Sequence, residues 1–218
     1  MSPADTPLTR DRILVTAEEV IRRFGLAKAK VVDVARALGV SHAAVYRHVA
    51  TKAELLDLVV GRWVEATMPP LRAIAVQAGS APRRLRQLFD ALIAVKRRQA
   101  DDDPELFATY RALAADALFA AACFDQLVEL VAIIIRSGVR EGTFRSVDPV
   151  AAGRAVLFAT SRFHHPAHSA EWADPATDVA YNDVWRLLIE GLCAAKRPGE
   201  GEVRVANPAF SGPTRVRA

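Results

Sequence analysis

The sequence predicts an all-α fold, with a small helix-turn-helix domain at the N-terminus and a larger helical domain behind it. Apolar residues recur along most of the chain at the i, i+3, i+4, i+7 spacing that gathers them on one helix face, and strand-like alternation is scarce. Near the N-terminus two short helical segments are joined by only a few residues, with Gly39 in the joint, which is the helix-turn-helix arrangement. At 218 residues and 51% hydrophobic, the chain can bury a sizeable core.

Each element follows from local chemistry. Between Arg10 and Phe24 a stripe of Ile13, Leu14, Ala17, Val20, Ile21 and Phe24 marks the first helix, with Thr9 as N-cap and Gly25 as its end. Val31, Val34, Ala35 and Leu38 define a short second helix closed by Gly39. Ser41 caps a third, expected from His42 to about Val49. Thr51 caps a fourth, with Lys52 in its first turn and Leu55, Leu56, Val59, Val60 and Trp63 on its stripe. Pro69 and Pro70 are expected to stop it, since proline removes a helix hydrogen bond. Beyond a "QAGSAP" loop, Leu85, Leu88, Phe89, Leu92 and Ile93 form the face of a fifth helix. The "DDDP" run suits a helix start, because carboxylates and an early proline both favour an N-terminus. From there to Gly138 two helices are expected, with a break near Ala117 to Ala121. Asp148 caps and Pro149 opens an eighth helix that ends by Pro166, and a last helix covers about Asp178 to Lys196. The domains read as residues 9–62 and 63–196, and residues 197–218, rich in Gly, Pro and Arg, read as a disordered tail.

Composition narrows the function classes. Lys plus Arg number 29 against 25 Asp plus Glu, a mildly basic balance that permits nucleic-acid binding. The two distant cysteines, Cys123 and Cys193, make no disulfide framework and fit a reducing compartment. The N-terminus carries charges where a secretory signal would be apolar. The run "LVELVAIIIR" is shorter than the roughly 20 residues that span a bilayer. A cytoplasmic protein with no membrane partner is expected. No paired carboxylates, nucleophile elbow, Gly-rich phosphate loop or zinc-finger spacing occurs in the sequence, so neither an enzyme nor a cofactor is expected.

The segments "TRDRILVTAEEVIRRFG", "VVDVARALGVS" and "YRHVATKAELL" resemble the DNA-binding domain of TetR-family transcription regulators, over roughly Thr9 to Trp63. Gly25, Ala35, Gly39, Val40, Tyr46, Lys52 and Leu55 all fall at the family's spacing. The resemblance implies a homodimeric repressor on a palindromic double-stranded DNA operator. It also implies a C-terminal domain that binds a small-molecule effector and dimerises. It places His42, Ala43 and Ala44 at base edges, where alanine methyls meet thymine methyls and His42 hydrogen-bonds a base. Tyr46, Arg47, His48 and Lys52 are expected on phosphates, which set register, and the capping residues Ser41 and Thr51 belong to the same DNA-facing set. Ala29 departs from the family, which has a capping Thr there. Either that cap is lost or Lys30 contacts a phosphate directly.

In the larger domain Trp63, Met68, Phe89, Phe107, Tyr110 and Phe124 are candidate walls of an apolar effector pocket, although core packing explains most aromatics on apolar helix faces. Val150, Val156, Phe158 and Phe163 of the eighth helix, with Val184, Trp185, Leu188 and Leu192 of the last, are candidates for a four-helix interface between two copies. His164, His165 and His168, near Glu171 and Asp174, carry the groups that bind a divalent ion, but Pro166 breaks the helix between them. A metal-dependent sensor is therefore one alternative function. A small-molecule-binding module with a degenerate DNA domain is another.

Overall fold

The computed structural model describes residues 7–114 and 117–193; the tail expected at 197–218 lies outside them. The described residues form eleven α-helices and no strand: α1 (Arg10–Lys28), α2 (Val31–Leu38), α3 (His42–Tyr46), α4 (Lys52–Glu65), α5 (Met68–Val76), α6 (Ala81–Asp102), α7 (Pro104–Leu113), α8 (Ala117–Arg140), α9 (Pro149–Ala159), α10 (Ser161–His164) and α11 (Pro175–Leu192). A 3-10 segment, Pro166–Glu171, lies between the last two. Thr9, Ser41, Thr51 and Asp148 each accept a backbone N–H in the first turn of the helix they precede, as expected, and Asp174 does the same for α11.

The N-terminal helices pack around Ile13, Ala17, Ile21, Val34, Val45, Leu55 and Val59. Fully burying each of these larger side chains stabilises by roughly 1.5–3 kcal/mol. Gly39 sits at φ 67, ψ 28, a left-handed conformation that costs a side chain energy and glycine little. There its N–H reaches Arg36 O at 3.1 Å and the Val40 N–H reaches Ala35 O at 3.0 Å, closing α2 and turning the chain into α3. This core is completed from outside the first four helices, by Leu106, Phe107 and Tyr110 of α7 and by Trp172. A second core joins α5, α6, α8, α9 and α11 around Leu71, Leu85, Leu88, Phe89, Leu92, Ile134, Ile135, Leu157 and Trp185.

One carboxylate ties the two cores together. Asp103, between α6 and α7, accepts Arg22 Nε at 2.7 Å from α1 and Trp63 Nε1 at 3.3 Å from α4. Beside it α1 bends at Gly25 (φ 72, ψ 161) before its last turn. A Cβ on Gly25 would lie 2.7 Å from Glu105 Oε2 of α7.

Several boundaries differ from the sequence expectation. Pro69 and Pro70 do not end a helix in favour of a loop. They occupy the first turn of α5, where the missing N–H is not needed, and Met68, Leu71 and Ala75 bury its face. The third helix is shorter than expected, because the N–H groups of His48 and Val49 both converge on Val45 O and the last turn tightens. The break between the seventh and eighth helices precedes Ala117, since α8 already starts there. The helix expected from Pro149 to Pro166 is interrupted at Thr160, where α9 ends; its hydroxyl donates to Val156 O at 2.8 Å, and a short α10 follows. The last helix begins three residues early, at Pro175.

Candidate functional site

Two surfaces carry chemistry. The first surrounds the helix-turn-helix. His42, Ala43, Tyr46, Arg47, Ser41, Thr51, Lys52 and Lys30 are exposed, and His48 is half-buried. The ring of His42 meets that of Tyr46 edge-on at 4.6 Å, one turn apart on α3. Ser41 Oγ accepts the Ala44 N–H at 3.2 Å and Thr51 Oγ1 the Glu54 N–H at 3.0 Å, so both hydroxyls serve as caps. Ala44 differs from expectation. It is 7% exposed, because a five-residue helix leaning on α2 turns both Ala44 and Val45 inward, and its methyl is not offered to a groove.

Charge pairing separates the cations of this domain into two sets. Arg10, Arg22, Arg36 and Arg62 are bound to carboxylates, among them Glu54, Asp103, Asp33 and Asp11. Lys30, Arg47 and Lys52, like Arg23 and Lys28 on α1, have no ion pair among the described residues. Lys30 and Lys52 also line one shallow crevice with Ala17, Val31 and Leu56, which brings the N-termini of α2 and α4 side by side. The lost Thr cap at Ala29 is partly replaced: Lys30 is the N-cap of α2, and Asp33 Oδ2 accepts its backbone N–H at 3.2 Å. The Lys30 side chain stays free for an external anion.

The second surface is internal. A cavity of about 550 Å³ is lined by residues of α6 to α10, among them Lys96, Tyr110, Cys123, Phe124, Leu157, Phe158 and His164. That volume lies within the range of small-molecule sites, about 300–1,000 Å³. A smaller cavity of about 260 Å³ shares Lys96, Tyr110, Cys123 and Leu127 and reaches α4 at Asp57, Gly61 and Glu65. Burial lowers the Lys96 pKa to about 8, an effect the nearby Cys123 thiol counters. Burial, aided by the Lys96 charge, brings His164 down to about 3. It is therefore a neutral imidazole, with Nε2 3.2 Å from Thr160 Oγ1. Burial raises the Cys123 thiol, and Lys96 opposes this.

Of the six pocket candidates, Tyr110 and Phe124 line the larger cavity and Met68 the smaller. Trp63, Phe89 and Phe107 do not line either. Phe89 is fully buried against His164 and Trp185, while Trp63 and Phe107 stack edge-on in the N-terminal core. Lys96, Cys123, Leu157, Phe158, Ser161 and the three histidines were not expected as lining. Lys96 carried a signal, since it falls on the apolar stripe of α6 one turn after Leu92.

The histidine cluster does not converge. His164 is engaged with Thr160, the His165 and His168 rings stand 6.4 Å apart, and His168 Nδ1 lies 3.4 Å from Glu171 Oε1. Among the described residues no three His, Cys, Asp or Glu side chains are placed to share an ion. The metal-sensor alternative loses its geometric basis.

The dimer candidates also shift. Val156, Phe163, Trp185 and Leu192 are buried in this chain's own core, and Val184 and Leu188 pack against it. The apolar side chains left outward on α9 and α11 are Val150, Phe158 (64% exposed), Val179 and Leu187 (72% exposed). No described helix is long and apolar enough to cross a membrane.

Comparison with known proteins adds a family. A model described as bacterial regulatory proteins, tetR family, matches residues 13–59. A second, described as tetracyclin repressor-like, C-terminal domain, matches residues 81–185. Among solved structures the fold is similar to SmeT, the repressor of the Stenotrophomonas maltophilia multidrug efflux pump SmeDEF, at 19% identity over 88% of this chain and 93% of that one, with a TM-score of 0.60. It is similar to Thermus thermophilus FadR, a TetR-family transcriptional repressor in complex with lauroyl-CoA, at 22% identity, 89% and 100% coverage and a TM-score of 0.62. A TetR-family transcriptional regulator from Pectobacterium atrosepticum is similar at 21% identity, 87% and 100% coverage and a TM-score of 0.63. No curated protein matches the sequence.

Proposed function

Because the chain belongs to the TetR family of bacterial regulatory proteins, we propose that it is a ligand-responsive transcriptional repressor that holds a palindromic operator as a homodimer in the cytoplasm. Residues 9–62 would read DNA, and residues 63–196 would hold effector and partner. Lys30, Arg47 and Lys52, without an acidic partner among the described residues, meet phosphates, and their charge supplies sequence-independent affinity. Exposed His42 and Ala43 face the base edges. The two recognition helices of the dimer need centres about 34–36 Å apart to enter successive major grooves. Dimerisation buries the outward Val150, Phe158, Val179 and Leu187 of α9 and α11. Repression, rather than activation, is the reading that SmeT and FadR support.

The observation that carries the ligand response is the double membership of α7. Tyr110 belongs to the core beneath the reading helices and also lines both cavities. An effector that prefers one placement of α7 therefore biases the attitude of α1 and α4, and it shifts DNA affinity only by its differential affinity for the two placements. The test is fluorescence anisotropy with labelled duplexes tiled across the DNA flanking the protein's own gene. Tight, salt-sensitive binding to one palindromic segment, well above binding to scrambled duplexes, is expected. Equal affinity for every duplex would refute specific regulation and favour the module with a degenerate DNA domain.

A further inference from the structure

The larger cavity holds a cation with no ion-pair partner among the described residues. Lys96 is 4% exposed. Its Nζ has one hydrogen-bond partner, Gln99 Oε1 at 3.3 Å, and stands 4.3 Å from the centroid of the Tyr110 ring. No carboxylate among the described residues lies within ion-pair distance, whereas more than half of the described arginines have one. The other titratable groups on the larger cavity's wall are Tyr110, Cys123, His164, His165 and His168, with no carboxylate among its described lining residues, while the smaller cavity that Lys96 also lines has Asp57 and Glu65 at its α4 end. Apart from Ser161, the remaining wall is apolar, with Phe124, Leu127, Leu157 and Phe158 as its larger members. Phe124 and Phe158 stack at 4.8 Å, and Lys96 lies where the larger cavity meets the smaller.

This is a cavity with one positive pole and a hydrocarbon sleeve. An ammonium withdrawn from water without a counter-ion is costly to hold. A carboxylate entering the cavity would supply the missing partner through a charge-assisted hydrogen bond, and its alkyl tail would displace water from the apolar wall. We propose that Lys96 anchors the carboxylate head of an amphipathic effector whose apolar tail lies along Phe124, Leu127, Leu157 and Phe158; the assignment rests on reading this cavity as the effector site.

The test uses the full-length protein and matched probes: the n-alkanoates from hexanoate to tetradecanoate, each paired with the alcohol of equal chain length. Isothermal titration calorimetry at neutral pH measures both arms on the parent, Lys96→Met and Lys96→Gln, after circular dichroism has shown which variants fold. The parent is expected to bind at least one alkanoate about tenfold more tightly than its alcohol, which corresponds to about 1.4 kcal/mol. Either folded variant should lose most of that ratio through the alkanoate arm. The proposal is overturned if no alkanoate in the series binds the parent, if the alcohols bind equally well, or if the variants keep the preference. Loss of fold in both variants would also overturn it, because the ammonium would then be a structural element. A labelled operator in the same titration separates the two readings. An alkanoate preference without DNA release sinks the effector reading and leaves the anchor standing. DNA release by alcohols and alkanoates alike does the reverse.

Discussion

Lys96→Met should make the ligand-free protein more stable at neutral pH, an unusual outcome for a buried substitution. Burial lowers the Lys96 pKa from 10.5 to about 8. At about 1.4 kcal/mol per pH unit, holding the charge in the fold costs roughly 3 kcal/mol at pH 7. Methionine has a similar length and no charge, so it removes that cost. Two losses offset the gain: the hydrogen bond to Gln99, worth about 1 kcal/mol, and the contact with the Tyr110 ring, worth about 1 kcal/mol. The net gain is on the order of 1 kcal/mol, a rise of about 2–4 °C in Tm for a chain of this size. The pH dependence is sharper than the magnitude. Between about pH 8 and 10.5 the unfolded parent retains a proton that the folded parent has released. Parent stability therefore climbs with pH across that window, and the variant lacks the climb. Cys123, Tyr110, His164 and His165 line the same cavity in both proteins, and because the Lys96 charge opposes the rise of the Cys123 thiol, the difference between the two curves reports Lys96 together with its coupling to Cys123. Thermal melts followed by circular dichroism, from about pH 7 to 10.5, give both curves. Parallel curves, or a variant weaker at pH 7 and no weaker at pH 10, would refute the reasoning.

Other expectations follow from the same geometry. Leu187→Glu places a charge on the outward face of α11, so sedimentation should show monomer with an unchanged far-ultraviolet spectrum; a persistent dimer would put the interface elsewhere. Lys52→Ala should weaken binding alike on all duplexes and flatten the salt dependence by about 0.9 per phosphate contact, hence about 1.8 per dimer. His42→Ala should instead relax preference at one base position, costing roughly 1–3 kcal/mol on the operator, and anisotropy on operator and scrambled duplexes distinguishes the two. His164 is held neutral, with a pKa near 3 against 6.5 in the unfolded chain. Below about pH 6.5 the unfolded chain takes up a proton that the fold refuses, so stability falls as pH decreases towards 3. His164→Gln should reduce that acid sensitivity in melts between pH 4 and 7, and an unaltered acid slope would contradict the burial argument.

The parts of this fold legible in the sequence are those decided locally. Thr9, Ser41, Thr51 and Asp148 can be recognised as caps because a short oxygen-bearing side chain precedes an apolar stripe, and the structure has all four accepting the expected N–H groups. Proline is ambiguous in the same local frame. Pro69–Pro70 is compatible with the end of one helix or the start of the next, and only the burial of Met68 and Leu71 chooses. Periodicity finds a helix face but not what covers it. Val156, Phe163, Trp185 and Leu192 have the apolar spacing of an interface and meet their own core, while Val150 and Phe158 of the same candidate set stay outward and the outward Leu187 lies off that stripe. The cavity was the least legible feature, since its polar members come from α6, α7, α8, α10 and the 3-10 segment after it. Lys96 was nonetheless visible as a charge on an apolar stripe, a position where a lysine side chain has no short path to water.

The sharing of α7 also limits how such a protein can be rebuilt. Exchanging operator preference between relatives by a contiguous graft ending after Glu65 would carry over the first four helices. It would leave behind Leu106, Phe107, Tyr110 and Trp172, whose rings and methyls close the underside of those helices. Such a chimera would join two surfaces shaped for other partners, and its defect would be voids and clashes beneath the donor head rather than a wrong base contact. A transplant that respects the packing must be discontinuous: the N-terminal segment, α7 and Trp172 travel together, and the recipient keeps α5, α6 and α8 with the cavity wall they carry.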